Sequence, residues 1–145
     1  MRTIALSLTF LVVAALSPSA QVATPITVYK SPTCGCCGKW VEHMKKAGFN
    51  PTVTDLPNVS PVKQSMGVPS NLQSCHTSAI QGYAIEGHVP ADVVRQLLKE
   101  KPKVAGIAVP GMPVGSPGME QGEQKDKYNI VSFTKDGSQK VYASR

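Results

Sequence analysis

Acidic side chains are scarce in this chain: nine Asp and Glu stand against fifteen Lys and Arg in 145 residues. Asp55, Glu86, Asp92 and Glu120 are scattered, and nothing in the sequence pairs two of them, so two-carboxylate hydrolysis finds no support. Aromatic residues make up only 6% of the chain. The basic residues are dispersed, and their one cluster, 99–103, is broken by Glu100 and Pro102. With no stacking aromatics and no nucleic-acid motif, the charge reads as a solvated basic surface, and nucleic acid is excluded as a partner. Internal repeats and long low-complexity tracts are also missing. Past the N-terminus there is no second long apolar run, which excludes further membrane spans of the helical kind.

The apolar run that does exist is N-terminal. Arg2 is a short positive start, residues 4–16 are apolar apart from Ser7 and Thr9, and Ser17, Ser19, Ala20 and Ala23 supply small residues. This is the pattern of a secretory signal peptide over residues 1–20, cut somewhere between 17 and 23, and the run is short for a membrane span. A retained anchor helix is the alternative. No cysteine lies near the cut to accept a lipid. The expectation is an exported, periplasmic protein with no stable membrane span after processing. Residues 21–145 then suffice for one compact domain and not for two. Without Arg2 the charges are fourteen basic and nine acidic, a net +5.

All four cysteines fall in that domain, at Cys34, Cys36, Cys37 and Cys75, and three of them crowd the segment Thr33-Cys34-Gly35-Cys36-Cys37-Gly38. The run 25–30 (PITVYK) reads as a strand, and 39–47 (KWVEHMKKA) as an amphipathic helix with Trp40, Val41, Met44 and Ala47 on one side. The cysteines therefore occupy a strand-to-helix turn, where unpaired N–H groups and the helix dipole favour negative charge and so the thiolate. Cys34 and Cys37 alone form a C-x-x-C pair, and Cys36 adds a third soft donor that a dithiol exchanger does not need. A bridge between adjacent Cys36 and Cys37 is strained and Cys34–Cys36 closes a very tight ring, which leaves Cys34–Cys37 or one bridge to Cys75 as comfortable. Two bridges at once would force one poor geometry, so structural disulfides do not account for the motif.

Thiolates are soft ligands and select Cu(I), zinc or an iron–sulfur centre over magnesium or calcium. Thiolates at one turn can bridge several Cu(I) ions. A single zinc wants a tetrahedron of four ligands, to which two adjacent cysteines contribute awkwardly. Copper, as Cu(I), is the lead metal and zinc the fallback.

The remaining chain alternates elements. Residues 50–55 read as a second strand after a stop at Gly48, giving a β-α-β start. Pro57, Pro61 and Pro69 leave room for a short helix at 62–66, and a loop leads to Cys75-His76. Residues 78–86 (SAIQGYAIE) read as one strand, a helix opens at Pro90 with Val93, Val94, Leu97 and Leu98 on one face, and 104–109 is a short buried strand. Residues 129–133 and 139–143 around Asp136-Gly137 form a terminal hairpin. The fold class expected is α/β, a small thioredoxin-like domain with a β-α-β start and a C-terminal β-hairpin. The Pro- and Gly-rich stretch 110–120 is a loop. Its Met112 and Met119 have no obvious core face, and a thioether suits Cu(I); ordinary loop packing is the alternative. His76, beside Cys75, is a further ligand candidate. His43 and His88 read as hydrogen-bonded or surface residues, and Trp40 as a core or lid residue.

Four motifs in order, Tyr-Lys-Ser-Pro-Thr-Cys34-Gly-Cys36-Cys37, Ser74-Cys75-His76-Thr77, Glu86-Gly87-His88-Val89-Pro90 and the stretch from Val109 to Glu120, resemble the CopG-type periplasmic copper-resistance family. The resemblance spans nearly the whole exported portion. It implies a thioredoxin-like fold that binds copper through Cys34, Cys36, Cys37 and Cys75, with His76, Met112 and Met119 as additional candidates. It also implies a multinuclear thiolate-bridged cluster, a role in copper tolerance, and redox cycling of copper.

Two function classes follow. One is a copper-binding module with those four cysteines as ligands, whose protein partners would be other copper-handling or redox proteins of the periplasm. The other is a thiol–disulfide oxidoreductase with Cys34 attacking and Cys37 resolving. A copper-linked oxidoreductase would combine them at one site.

Overall fold

A computed structural model describes residues 23–145; the leader read over residues 1–20 lies outside them. The chain starts with β1 (Thr24–Lys30), α1 (Gly35–Lys46) and β2 (Phe49–Asp55), and β1 and β2 pair in parallel from Thr24↔Phe49 to Lys30↔Asp55. This is the β-α-β start expected. Helix α1 opens at Gly35 rather than at 39, so Cys36 and Cys37 belong to its first turn. Glycine and cysteine are weak helix formers, and no apolar spacing announces the turn. Two backbone bonds close it, from Cys34 N–H to the Ser31 carbonyl at 3.1 Å and from Gly38 N–H to the Cys34 carbonyl at 3.3 Å. Once closed, buried Cys37 extends the apolar stripe of Trp40, Val41 and Met44 by one turn.

After α2 (Ser60–Ser65) and a 3-10 turn at Ser70–Leu72, the single strand expected over 78–86 is two: β3 (Thr77–Ile80) and β4 (Tyr83–Glu86), paired antiparallel. The alternation of side chains runs unbroken through the turn, which hides it in the sequence. At the turn, Gln81 and Gly82 take φ of 46° and 86°, the left-handed pair of a tight hairpin, without the Asn-Gly or Asp-Gly signature that would announce it. Helix α3 (Ala91–Glu100) and β5 (Gly106–Ala108) follow, and β4 pairs with β5 in parallel. The terminal hairpin is β6 (Asn129–Phe133) with β7 (Gln139–Ser144). Together the strands form one seven-stranded sheet in the order β2-β1-β3-β4-β5-β6-β7.

Alternation along the central strands feeds two cores. Ile85 and Ile107 face α1 and α3 and pack with Trp40, Met44, Val93, Val94 and Leu97, while Ala84 and Ala108 face Val68, Leu72 and Phe133 on the other side. Trp40 is fully buried, a core residue, and its indole N–H donates to the Val89 carbonyl at 2.8 Å. Each such large side chain removed from water contributes about 1.5–3 kcal/mol. Among the described residues no helix is long and apolar enough to cross a membrane.

His43 ties the two helices together. Pro90 offers α3 no side-chain cap, and the first helical N–H, that of Ala91, donates instead to His43 Nε2 at 3.1 Å. That nitrogen can accept only while unprotonated. Burial holds the His43 pKa below its ordinary value of 6.5, against the opposing pull of the Glu120 and Asp92 carboxylates. A base with a depressed folded pKa stabilises fully above its unfolded value and loses that stabilisation as pH falls through the folded one. His43→Ala should therefore cost about 0.5–2 kcal/mol in mildly alkaline buffer, the usual worth of a helix cap. The gap to the parent should narrow as pH drops below 6.5. Denaturant melts of both proteins across that range check this, and parallel pH profiles would count against it.

Candidate metal centre

Strand register brings distant segments to one edge of the sheet. β3 runs antiparallel to β1 with Thr77 opposite Tyr29, β4 runs antiparallel to β3 with Glu86 opposite Thr77, and β5 runs parallel to β4 with Ala108 beside Glu86. The residues after β1, before β3, after β4 and after β5 must all emerge on the same side. Those are the Cys34–Cys37 turn, Cys75-His76, Gly87-His88 and the loop that begins at Val109.

The four sulfurs of Cys34, Cys36, Cys37 and Cys75 all lie within 4.8 Å of one another. Cys34 and Cys37 are joined by a disulfide with Cα atoms 5.3 Å apart, and Cys36 and Cys75 keep free thiols. Cys34 is the N-cap of α1, and no acidic residue occupies the first turn. The Cys36 sulfur lies 3.6 Å from that of Cys34. Cys75 is half-buried, and its thiol is pushed up to about 11, first by burial and then by the negative charge of Cys36 beside it. Crowded sulfurs thus resist joint ionisation until a cation offsets their charge, a condition a soft metal ion meets.

A second set overlaps the first. Cys75, His76 and His88 bring their donor atoms within 4.8 Å of one another. Cys75 Sγ is 3.0 Å from His88 Nε2 and 3.3 Å from His76 Nδ1. His88 Nδ1 lies 2.8 Å from the Pro117 carbonyl. A carbonyl only accepts, so Nδ1 carries the hydrogen and the Nε2 lone pair of the neutral ring is turned toward the sulfurs, the orientation a second partner imposes on metal-binding histidines. Burial lowers the pKa of both rings, for His76 well below 6.5, and favours the neutral form that binds metal. The His76 ring packs 4.5 Å from Trp40 and edge-on to His88 at 5.1 Å, and its buried Nε2 has no hydrogen-bond partner among the described residues.

The donor chemistry fits a soft or borderline metal: sulfurs with two neutral imidazoles, and no carboxylate in either set. His88 is the residue that sequence reading passed over. Its Gly-His-Val-Pro setting has no ligand spacing, and the adjacency to Cys75 follows from the β3–β4 pairing alone. His43 does not join the cluster, being engaged with Ala91. Met112 is 51% exposed and Met119 is half-buried on the same loop. That loop packs tightly at Gly118, where a side-chain carbon would stand 2.7 Å from the Cys36 carbonyl and 2.9 Å from Trp40 N, at a φ of +89°. Only glycine lets the chain pass there and present the Pro117 carbonyl to His88.

A family model described as "Protein of unknown function, DUF411" matches residues 72–119, the span that holds Cys75, His76, His88 and the loop. Two solved structures, both described as "Copper resistance protein copG" (form 2 and form 1), are 43% identical to this chain, cover 85% of it and are themselves 98% covered. They superpose with TM-scores of 0.81 and 0.80. No curated protein matches.

The metal-free protein, denatured without reductant, should take up two equivalents of a thiol alkylating agent, at Cys36 and Cys75. After reduction the uptake should rise to all four cysteines. Mass spectrometry reads this directly, and four alkylations without reductant would dismiss the Cys34–Cys37 bridge.

Proposed function

This chain belongs to the CopG family of copper-resistance proteins, and from that premise we propose that it is an exported protein that takes copper as its cargo. In this reading Cys34, Cys36, Cys37 and Cys75 hold Cu(I), with His88 and His76 completing the shell and Met112 and Met119 at its margin. The observation that carries it is the approach of all four sulfurs to within 4.8 Å of one another. Such a set is too compact and too soft for magnesium or calcium, and its sulfurs can bridge several Cu(I) ions, which accept low coordination numbers. Residues 1–20 serve as the leader and 21–145 as the cargo-binding domain, which delivers the thiols to a compartment where they meet copper outside the cytosol.

The Cys34–Cys37 disulfide favours a redox component in the same site. Opening it takes two electrons and two protons from a dithiol donor and returns two thiols to the cluster; closing it withdraws two of the four sulfur ligands. Copper occupancy and dithiol state are then coupled, and closing the bridge releases two protons and two electrons, the number that takes two Cu(II) to Cu(I), which joins sequestration to redox cycling of copper. A plain thiol–disulfide oxidoreductase using Cys34 and Cys37 is the competing reading. It assigns no task to Cys36 or to the Cys75 pair of histidines.

Anaerobic titration of the fully reduced protein with Cu(I) should saturate above one ion per chain. A ratio of one or less, with all thiols verified as reduced, rejects the multinuclear site. Cys36→Ser should lower the stoichiometry and weaken Cu(I) affinity by about ten-fold or more, at least about 1.4 kcal/mol, because a hydroxyl is a poor soft-metal ligand. A Cys36→Ser protein with undiminished copper affinity and full disulfide-reductase turnover, beside an inactive Cys34→Ser protein, would favour the competing reading.

A further inference from the structure

The donor set leans on a buried charge that donates nothing to it. Lys63 of α2 and Glu86 at the end of β4 are 3% and 0% exposed, and Lys63 Nζ donates to Glu86 Oε1 at 2.5 Å. The same Oε1 accepts the backbone N–H of Ser74 at 2.6 Å, and Oε2 accepts the Thr77 hydroxyl at 2.5 Å. Thr77 Oγ1 in turn accepts from Lys63 at 2.9 Å. Ser74 and Thr77 are the residues immediately before Cys75 and immediately after His76. The carboxylate therefore grips both ends of a two-residue span that carries one sulfur and one imidazole.

The following residues continue the hold. Gly87 N–H donates to the His76 carbonyl at 2.9 Å. At Gly87, with φ +71°, a side-chain carbon would meet Ser74 at 2.7 Å and the Val109 carbonyl at 2.8 Å. Ser74 Oγ reaches onward to the Gly111 carbonyl at 2.6 Å. His88 then comes to 3.0 Å from the Cys75 sulfur.

A buried ion pair is a poor stabiliser, since desolvation cancels much of its attraction and an apolar pair of similar volume often serves stability as well or better. Its presence beside the metal ligands calls for a different reason. Among side chains, a carboxylate alone offers two acceptor oxygens to a backbone N–H, a hydroxyl and an ammonium at once. We propose that Glu86 is a positioning residue for the metal centre: with Lys63 balancing its charge, it fixes Ser74 and Thr77 so that Cys75 and His76 are held in place toward Cys36 and His88. This rests on the copper-binding reading above, and it assigns to the Lys63–Glu86 pair preorganisation of the site in place of stability.

The test compares the parent with Glu86→Gln and with Lys63→Met/Glu86→Leu, the apolar replacement that removes the clamp without leaving a lone buried charge. Three quantities are read on reduced protein: the thermal midpoint, Cu(I) affinity by competition with a chromophoric Cu(I) chelator, and the alkylation rate of Cys75 in metal-free protein by peptide mass mapping. A positioning role predicts that the double variant keeps its midpoint within a few degrees, loses about ten-fold or more in Cu(I) affinity, and alkylates Cys75 several-fold faster. A folded double variant with parental affinity and alkylation rate would overturn the proposal. Should that variant fail to fold, Thr77→Val removes the two hydroxyl contacts, to Glu86 and from Lys63, leaves the ion pair intact and is read in the same way. If the parent itself binds no Cu(I), the copper reading fails, while the Cys75 alkylation comparison still decides whether Glu86 positions the segment.

Discussion

The antiparallel pairing of β3 with both β1 and β4 is the constraint on which the site depends. It sets Tyr29 against Thr77 and Thr77 against Glu86, so one row of the sheet ends beside the Cys34–Cys37 turn, the Cys75–His76 segment and the Gly87–His88 segment. A slip of one residue between β3 and β4 would turn Thr77 and Glu86 to opposite faces, and one between β1 and β3 would carry Cys75 away from Cys36. The two cores flanking the sheet oppose such a slip, because each strand would expose its Ile and bury its polar residues on the wrong side. Hydrophobic packing thus sets the position of the sulfur atoms, of which only that of Cys37 belongs to a core residue.

Around that edge the interior is unusually polar for so small a domain. Glu86, Lys63, His76, His88, Thr77 and Ser78 are all buried. Most of these groups are satisfied by one another or by backbone: Glu86 by Lys63, Ser74 and Thr77, and His88 by Pro117 and Cys75. The buried His76 Nε2 and Ser78 Oγ lack hydrogen-bond partners among the described residues. Such networks cost desolvation energy and are retained where they hold a geometry. Here the geometry is a pocket of sulfurs with two neutral imidazoles turned toward it, closed over by a loop that glycine allows to lie against the backbone of α1.

The disulfide state of Cys34 and Cys37 gives this pocket two donor inventories. With the bridge closed, two free thiols and two histidines remain; with it open, all four thiols are present. The first inventory is borderline in softness and the second strongly soft. Membership of a copper-resistance family and the soft donor chemistry of the Cys/His cluster are consistent with each other.

Much of this protein is local and therefore readable along the chain. The strand-turn-helix that carries Cys34, Cys36 and Cys37, the β-α-β start, the helix after Pro90 and the closing hairpin all follow from periodicity and from Pro and Gly, because each depends on neighbours within a few residues. The start of α1 and the split of β3 from β4 were not readable: backbone hydrogen bonds closed the first turn, and Gln81-Gly82 made a tight hairpin without its usual residues. The role of His88, the tautomer imposed by Pro117 and the grip of Glu86 on Ser74 and Thr77 depend on contacts between residues 9 to 29 positions apart. No spacing rule encodes those contacts, because strand register, and not sequence distance, sets them. The sequence by itself determined which soft donors this protein carries and on which kind of turn three of them stand. Only the tertiary structure decided that the fourth sulfur and two imidazoles join them, because that requires the ends of separate strands to meet at one edge of a single sheet.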